Sequence, residues 1–158
     1  MATSIATKLL DSKLGVSSLV LRVPVGLTLA AHGSQKLFAW FGGYGLTGTG
    51  QWMDSIGFHP GFVMALLAGS AEFFGGLALV LGLLTRPAAL VTAFTMLMAF
   101  THHFPNGLFL ANDGFEYALA LFAVTVTLFI QGAGRYSVDS WLLNRIAQNQ
   151  HSAKLARA

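Results

Sequence analysis

Residues 61–84, GFVMALLAGSAEFFGGLALVLGLL, carry one charge, Glu72, in a run otherwise fit for lipid. A helix needs about 20 mostly apolar residues to cross the hydrocarbon of a bilayer, and this run supplies them. The carboxylate then needs a reason. Ionisable groups inside a span are costly and usually face the interior of a bundle. Gly69 and Gly76 flank Glu72 at spacings of three and four, so all three fall on one face. Small residues on such a face let a second helix come close. Glu72 is therefore expected against a neighbouring helix and not against lipid.

The rest of the chain agrees. Its 158 residues are 54% hydrophobic and only 9% charged, with a mean hydropathy of +0.64. A soluble domain is roughly 25% charged, so this chain lacks the polar residues to clothe a soluble surface. Four spans are expected, at about 16–41, 61–84, 87–104 and 115–132. The fourth is the shortest. The expected fold is all-α: a polytopic membrane four-helix bundle over residues 1–140, with a Gly-rich outer loop. Residues 141–158, with Trp141, Leu142, Leu143 and Ile146 beside Asn144 and Arg145, are expected to form a short interfacial helix and tail on the cytoplasmic surface. Pro87 after Arg86 suits the first position of a helix.

Charge sets the orientation. Lys8, Lys13, Arg86, Arg135, Arg145, Lys154 and Arg157 fall on one side, while the connections 42–60 and 105–114 contain neither Lys nor Arg. Positive loops stay cytoplasmic, which places both termini inside and those connections outside. The first apolar run continues well past Ala30-Ala31, so it reads as a retained span and not a cleaved signal. A bacterial or archaeal cytoplasmic membrane is the expected location. The absence of cysteine excludes thiol redox chemistry and Cys-held metals. No basic stripe suggests nucleic acid.

Six ionisable side chains converge in depth. His32 lies about 13 Å below the outer end of its span and Glu72 about 16 Å below the outer end of its own, at 1.5 Å per residue. Lys36, His102, His103 and Glu116 lie nearer the outer surface. These six are the candidate ligand-binding or proton-relay residues, with His32 and Glu72 expected to meet. His102 and His103 are neighbours on a helix and point about 100° apart, so one should face the bundle and the other the outer interface. If a metal were bound, His32, Glu72, His102 and His103 would be its ligands, but no HxxxH pair sits on one helix. Phe73, Phe74, Phe100 and Phe104 are candidate pocket walls. Arg22, alone in the inner half, is expected to reach the inner headgroups. GGYGLTGTGQW, residues 42–52, matches GxGxxG by letter, but it follows no strand and lies away from nucleotides. It reads as a flexible cover over the outer mouth, docked by Trp52 and Phe58.

HGSQKLF at 32–38, GSAEFFGGLALVLGLLTRPAAL at 69–90, HHF at 102–104, DGFEYALAL at 113–121 and GAGRYSVD at 132–139 together resemble the DoxX family of small four-helix membrane proteins. The resemblance covers about 21–139. The matching positions are His32, Gly33, Lys36, Glu72, Gly75, Gly76, Arg86, Gly114, Glu116, Tyr117, Gly134, Arg135, Ser137 and Asp139, and the motif does not say which are catalytic. The family includes a subunit of thiosulfate:quinone oxidoreductase, and many members have no assigned role. The resemblance therefore implies a redox or quinone-linked membrane task, with a quinone as the candidate cofactor.

Three readings follow. In the first, the chain is a quinone-linked redox subunit with its site in the outer half. In the second, it is a membrane anchor for a soluble enzyme. In the third, it is a small-ligand or metal-binding or transport module. The partners these readings call for are the lipid bilayer, a protein of a redox complex, and a second copy of the chain.

Overall fold

A computed structural model describes residues 15–155, the side chains of 151–154 excepted. Among the described residues the chain is helical without strands. Helix α1 is Val16–Phe38, α2 Gly45–Ser55, α3 Gly61–Leu81, α4 Thr85–His103, α5 Glu116–Gln131 and α6 Val138–Leu155. Helices α1, α3, α4 and α5 make the bundle. Helix α1 packs most extensively on α3, α4 on α5, and α3 also on α4, while α2 lies on α3.

Small residues set the α1–α3 seam. The buried positions of α3 are Gly61, Ala65, Gly69, Glu72, Gly76 and Leu79, one face at spacings of three and four. A Cβ on Gly76 would lie 2.5 Å from the Gly26 carbonyl oxygen, and one on Gly33 would lie 2.3 Å from the Phe73 nitrogen. The two backbones are therefore in contact, as the Gly69–Glu72–Gly76 spacing predicts. Leu29, Leu79, Ala89, Met96, Leu121 and Leu128 fill the core. Thr92 and Thr125 are buried but bond their own helix at the carbonyls of Ala88 and Leu121.

The outward faces are apolar. Leu27, Leu67, Phe74, Leu81, Leu90, Phe94 and Ile130 are all exposed. A soluble protein does not leave so continuous an apolar exterior, and a bilayer requires one. Helices α1 and α3 are long and apolar enough to cross a membrane, and α5 is a shorter apolar helix. The molecule is a helical membrane protein.

Several boundaries move from their expected places. Helix α1 runs through Pro24 and stops at Phe38, because Ala39 turns left-handed at φ 59°. The Gly-rich connection is more ordered than a flexible cover, since α2 occupies 45–55. A Cβ on Gly50 would lie 2.9 Å from the Phe62 Cα, so glycine here permits docking on α3. Helix α4 starts at Thr85, two residues before Pro87. Its cap is remote: the Asp139 carboxylate accepts the Leu84 N–H at 2.7 Å and the Thr85 N–H at 2.9 Å. Pro87 still falls in the first turn, where its missing N–H costs nothing.

The same tie fixes the start of α6 at Val138. The Asp139 N–H also donates to the Gly82 carbonyl at 2.9 Å, so the tail is fastened to the bundle at its root. Further along, Trp141 and Ile146 are exposed and the Arg145 guanidinium lies 5.4 Å from the Trp141 ring. Lys8, Lys13 and Arg157 lie outside the described residues, as does the side chain of Lys154.

Arg22 does not reach headgroups. It is 1% exposed and donates to the carbonyls of Leu79, at 2.9 Å, Val80 and Tyr136. The last carbonyls of a helix have no partner of their own, and Arg22 meets those of α3. Gly82 makes room: its φ is +65°, and a Cβ there would lie 2.9 Å from the Arg22 Cζ. Ser18 completes this end by donating to the Gly132 carbonyl at 2.9 Å.

Candidate functional site

At the other end of the bundle, Lys36 occupies the last turn of α1. The close α1–α3 seam carries it to α3, where its Nζ donates to Glu72 Oε2 at 2.6 Å. The carboxylate side chain is 6% exposed and the lysine 23%. Taking two ions out of water costs several kcal/mol each, and their attraction often only breaks even with that cost. A pair placed here therefore calls for a reason beyond stability.

The space beside it supplies one. A cavity of about 900 Å³ lies between α3 and α4 under α2. Leu67, Ala68 and Ala71 form the α3 wall, Val91, Phe94, Thr95 and Met98 the α4 wall, and Trp52, Met53 and Ile56 the roof. Leu67, Val91 and Phe94 are themselves exposed, so the cavity is a groove opening sideways through the apolar exterior. Its polar features are few: Lys36, Glu72, Thr95, His102 and His103. A large apolar cavity with a few convergent polar groups is the usual form of a small-molecule site.

The adjacent histidines do not divide between the bundle and the outer interface: both line the groove, with ring centroids 5.0 Å apart. The His102 ring meets Trp52 edge-on, with centroids 5.3 Å apart. His103 Nδ1 lies 2.8 Å from the Asp113 carbonyl oxygen. A carbonyl only accepts, so Nδ1 carries the proton. In the neutral ring Nε2 is then an acceptor.

Two candidates fall elsewhere. His32 does not pair with Glu72 and does not line the groove. Its Nε2 lies 3.4 Å from the Tyr117 hydroxyl on α5, although it feels the charges of both Lys36 and Glu72. Lys36, one turn further along, has the reach that His32 lacks. Glu116 is also absent from the groove. Its Oε1 accepts the Leu110 N–H at 2.7 Å and so holds the α4–α5 connection. The aromatic expectation is corrected as well. Phe73 packs on Phe38 and Trp40, and Phe100 and Phe104 pack with Phe115. The groove's own wall residues on α4, at 91, 95, 98 and 102, repeat every three or four residues, a signal readable as one helix face.

Helix α2 is pinned over the groove at its far end. Asp54 Oδ1 accepts the Gly61 N–H at 2.7 Å and lies 2.8 Å from His59 Nδ1. The Gly61 amide first, and then His59, hold the Asp54 carboxyl below its ordinary value. Among the described residues no group of three His, Cys, Asp or Glu side chains is placed to hold a metal ion.

Comparison with known proteins bears on this geometry. The family model DoxX matches residues 17–104, which include Lys36, Glu72, His102 and His103. The "Inner membrane protein YqjF" of Escherichia coli is 42% identical over 108 residues, 64% of this chain and 76% of that protein. The "Putative oxidoreductase CatD" of Bacillus subtilis is 32% identical over 113 residues, 72% of this chain and 78% of that protein. No solved structure matches.

Proposed function

The chain belongs to the DoxX family, and from that premise we propose that it is a redox-linked membrane subunit binding a quinone-type molecule in the groove between α3 and α4. One observation carries the reading: a nearly buried Lys36–Glu72 pair opens into a sideways, mostly apolar groove of about 900 Å³. A quinone has a flat ring with two carbonyl acceptors and an apolar tail. The ring suits the polar end, where the Lys36 ammonium is a donor. The tail suits the α3–α4 walls that open to lipid. When bound, a quinone supplies a carrier that takes up electrons and protons together. The chain's own part is to hold the ring beside Lys36, keep bulk water from the apolar walls, and place the His103 Nε2 acceptor nearby. The name of the Bacillus subtilis relative supports redox chemistry in the family.

In this reading the bundle crosses a cytoplasmic membrane four times, on α1, α3, α4 and α5. Connections free of Lys and Arg then face outside and both termini face inside. The partners are the bilayer, a protein of a redox complex and a second copy of the chain. A second reading, a membrane anchor for a soluble enzyme, draws on the exposed Trp141 and Ile146 of α6.

Two experiments test the proposal. Purified protein in nanodiscs should bind decylubiquinone, and Glu72→Gln should weaken that binding at least tenfold while remaining folded; equal affinity in the two forms refutes the site. Single cysteines at Thr47 and Asn106, both exposed, should react with an impermeant reagent added outside intact cells. Outside labelling of Asn144→Cys instead reverses the topology.

A further inference from the structure

A second, smaller cavity of about 560 Å³ lies on the opposite side of α2. Its lining differs in kind from that of the groove. Gln35, Tyr44 and Thr49 are polar, and Gly42 and Gly43 present bare backbone. Tyr44, at its mouth, is 84% exposed. This vestibule sits where the chain leaves α1, on the connection free of Lys and Arg. It is more polar than the groove and opens beside the exposed Tyr44.

Only two residues line both cavities, Lys36 and Trp52. Trp52 is the partition, with its ring held against His102. Lys36 is the crossing point. Glu72 lines the groove and not the vestibule, so the carboxylate borders the lipid-side opening while the Lys36 side of the pair borders both. An ion pair used only for packing needs no second opening.

We infer that Lys36 exchanges its proton with water through this vestibule, separately from the sideways opening through which a lipophilic ligand arrives. As the redox partner delivers electrons to the quinone-type ligand, the ligand's reduced oxygen takes a proton from the Lys36 ammonium. The neutral amine takes one back from vestibule water, whose hydroxide leaves to the bulk. The lysine returns to its charged form and the pair with Glu72 is restored. The ligand never has to leave the groove for this to happen, and the groove never has to admit water. The inference rests on the quinone-type reading for its ligand, but the port itself rests on geometry.

The chain has no cysteine, which allows a reversible plug. Tyr44→Cys protein in nanodiscs would be modified with a bulky methanethiosulfonate, then treated with a water-soluble amine reagent. Modification of Lys36 is read by peptide mass spectrometry. The plug should slow Lys36 modification several-fold, and its removal by a thiol reductant should restore the rate. An unchanged rate with the plug in place, or no modification of Lys36 in either form, overturns the port. Decylubiquinone binding on the same discs should be equal with and without the plug. Failure of the probe to bind in both forms would count against the quinone reading alone and leave the port to be judged on the labelling.

Discussion

The two ends of the bundle each bury ions, and they handle them in opposite ways. At one end Arg22 and Asp139 spend their hydrogen bonds on helix-terminal carbonyls and amides of α3 and α4. Their neighbours are backbone and close-packed side chains. At the other end Lys36 and Glu72 bond to each other and face a groove. A buried charge that satisfies orphan backbone groups is a fastening. A buried charge that faces open space is available to a ligand. The contrast explains why Arg22, the more deeply buried cation, is the weaker candidate for function.

The largest effect should come from the seam that both ends share. Gly76→Leu would drive a side chain into the Gly26 carbonyl and the Ala30 nitrogen. It should cost more stability than Leu79→Ala, which is expected to lose about 2–5 kcal/mol for a fully buried leucine, and it should also part Lys36 from Glu72. Thermal unfolding in detergent ranks the two; equal losses contradict the backbone contact.

Next comes the fastening itself. Arg22→Met and Asp139→Asn should each destabilise, Arg22→Met by at least about 1–3 kcal/mol, the usual cost of leaving a buried carbonyl without its donor. Ligand affinity measured on the folded fraction should not change. A selective loss of affinity would erase the distinction between the two ends.

The sequence carried much of this. Hydropathy and the 3–4 spacing around Glu72 were enough for an all-helical membrane bundle with the carboxylate on a helix contact, and four of the six candidate residues do line the groove. What escaped were interactions between residues distant in the chain. Asp139 caps α4 from 54 residues away, and no local pattern announces such a cap. Lys36 rather than His32 reaches Glu72 because of the axial register between α1 and α3, which span lengths alone do not determine. Helix α2 is hidden in the sequence by its glycines, which are poor helix formers and suit a loop. Its order comes from docking on Gly61 and Phe62.

A smaller effect separates the two histidines. His103 is positioned by its bond to the Asp113 carbonyl, whereas His102 is packed on Trp52. His103→Ala should weaken binding of the reduced form, decylubiquinol, whose hydroxyl can donate to the His103 Nε2 acceptor, roughly tenfold, about the worth of one hydrogen bond. His102→Ala should change it little. The reverse order would assign the ligand contact to the ring on Trp52.

The smallest effect lies at the roof. Folding depresses the Asp54 carboxyl below its ordinary value through the Gly61 amide and His59. The tie is therefore fully present above the ordinary carboxylate range and is lost as pH falls through the depressed value. Amide exchange at Gly61, corrected for its intrinsic pH dependence, should rise in acid. Asp54→Asn should show raised exchange at neutral pH and no acid transition.

The distinction between fastening and site is tested most directly by removing the Lys36–Glu72 pair whole. Replacing a buried ion pair by apolar residues of similar size is often neutral or stabilising. Lys36→Met combined with Glu72→Leu should therefore unfold at the same temperature as the parent or above it, and should no longer bind decylubiquinone. A double variant that loses stability yet binds the quinone as the parent does would show that the pair is a second fastening and not a site.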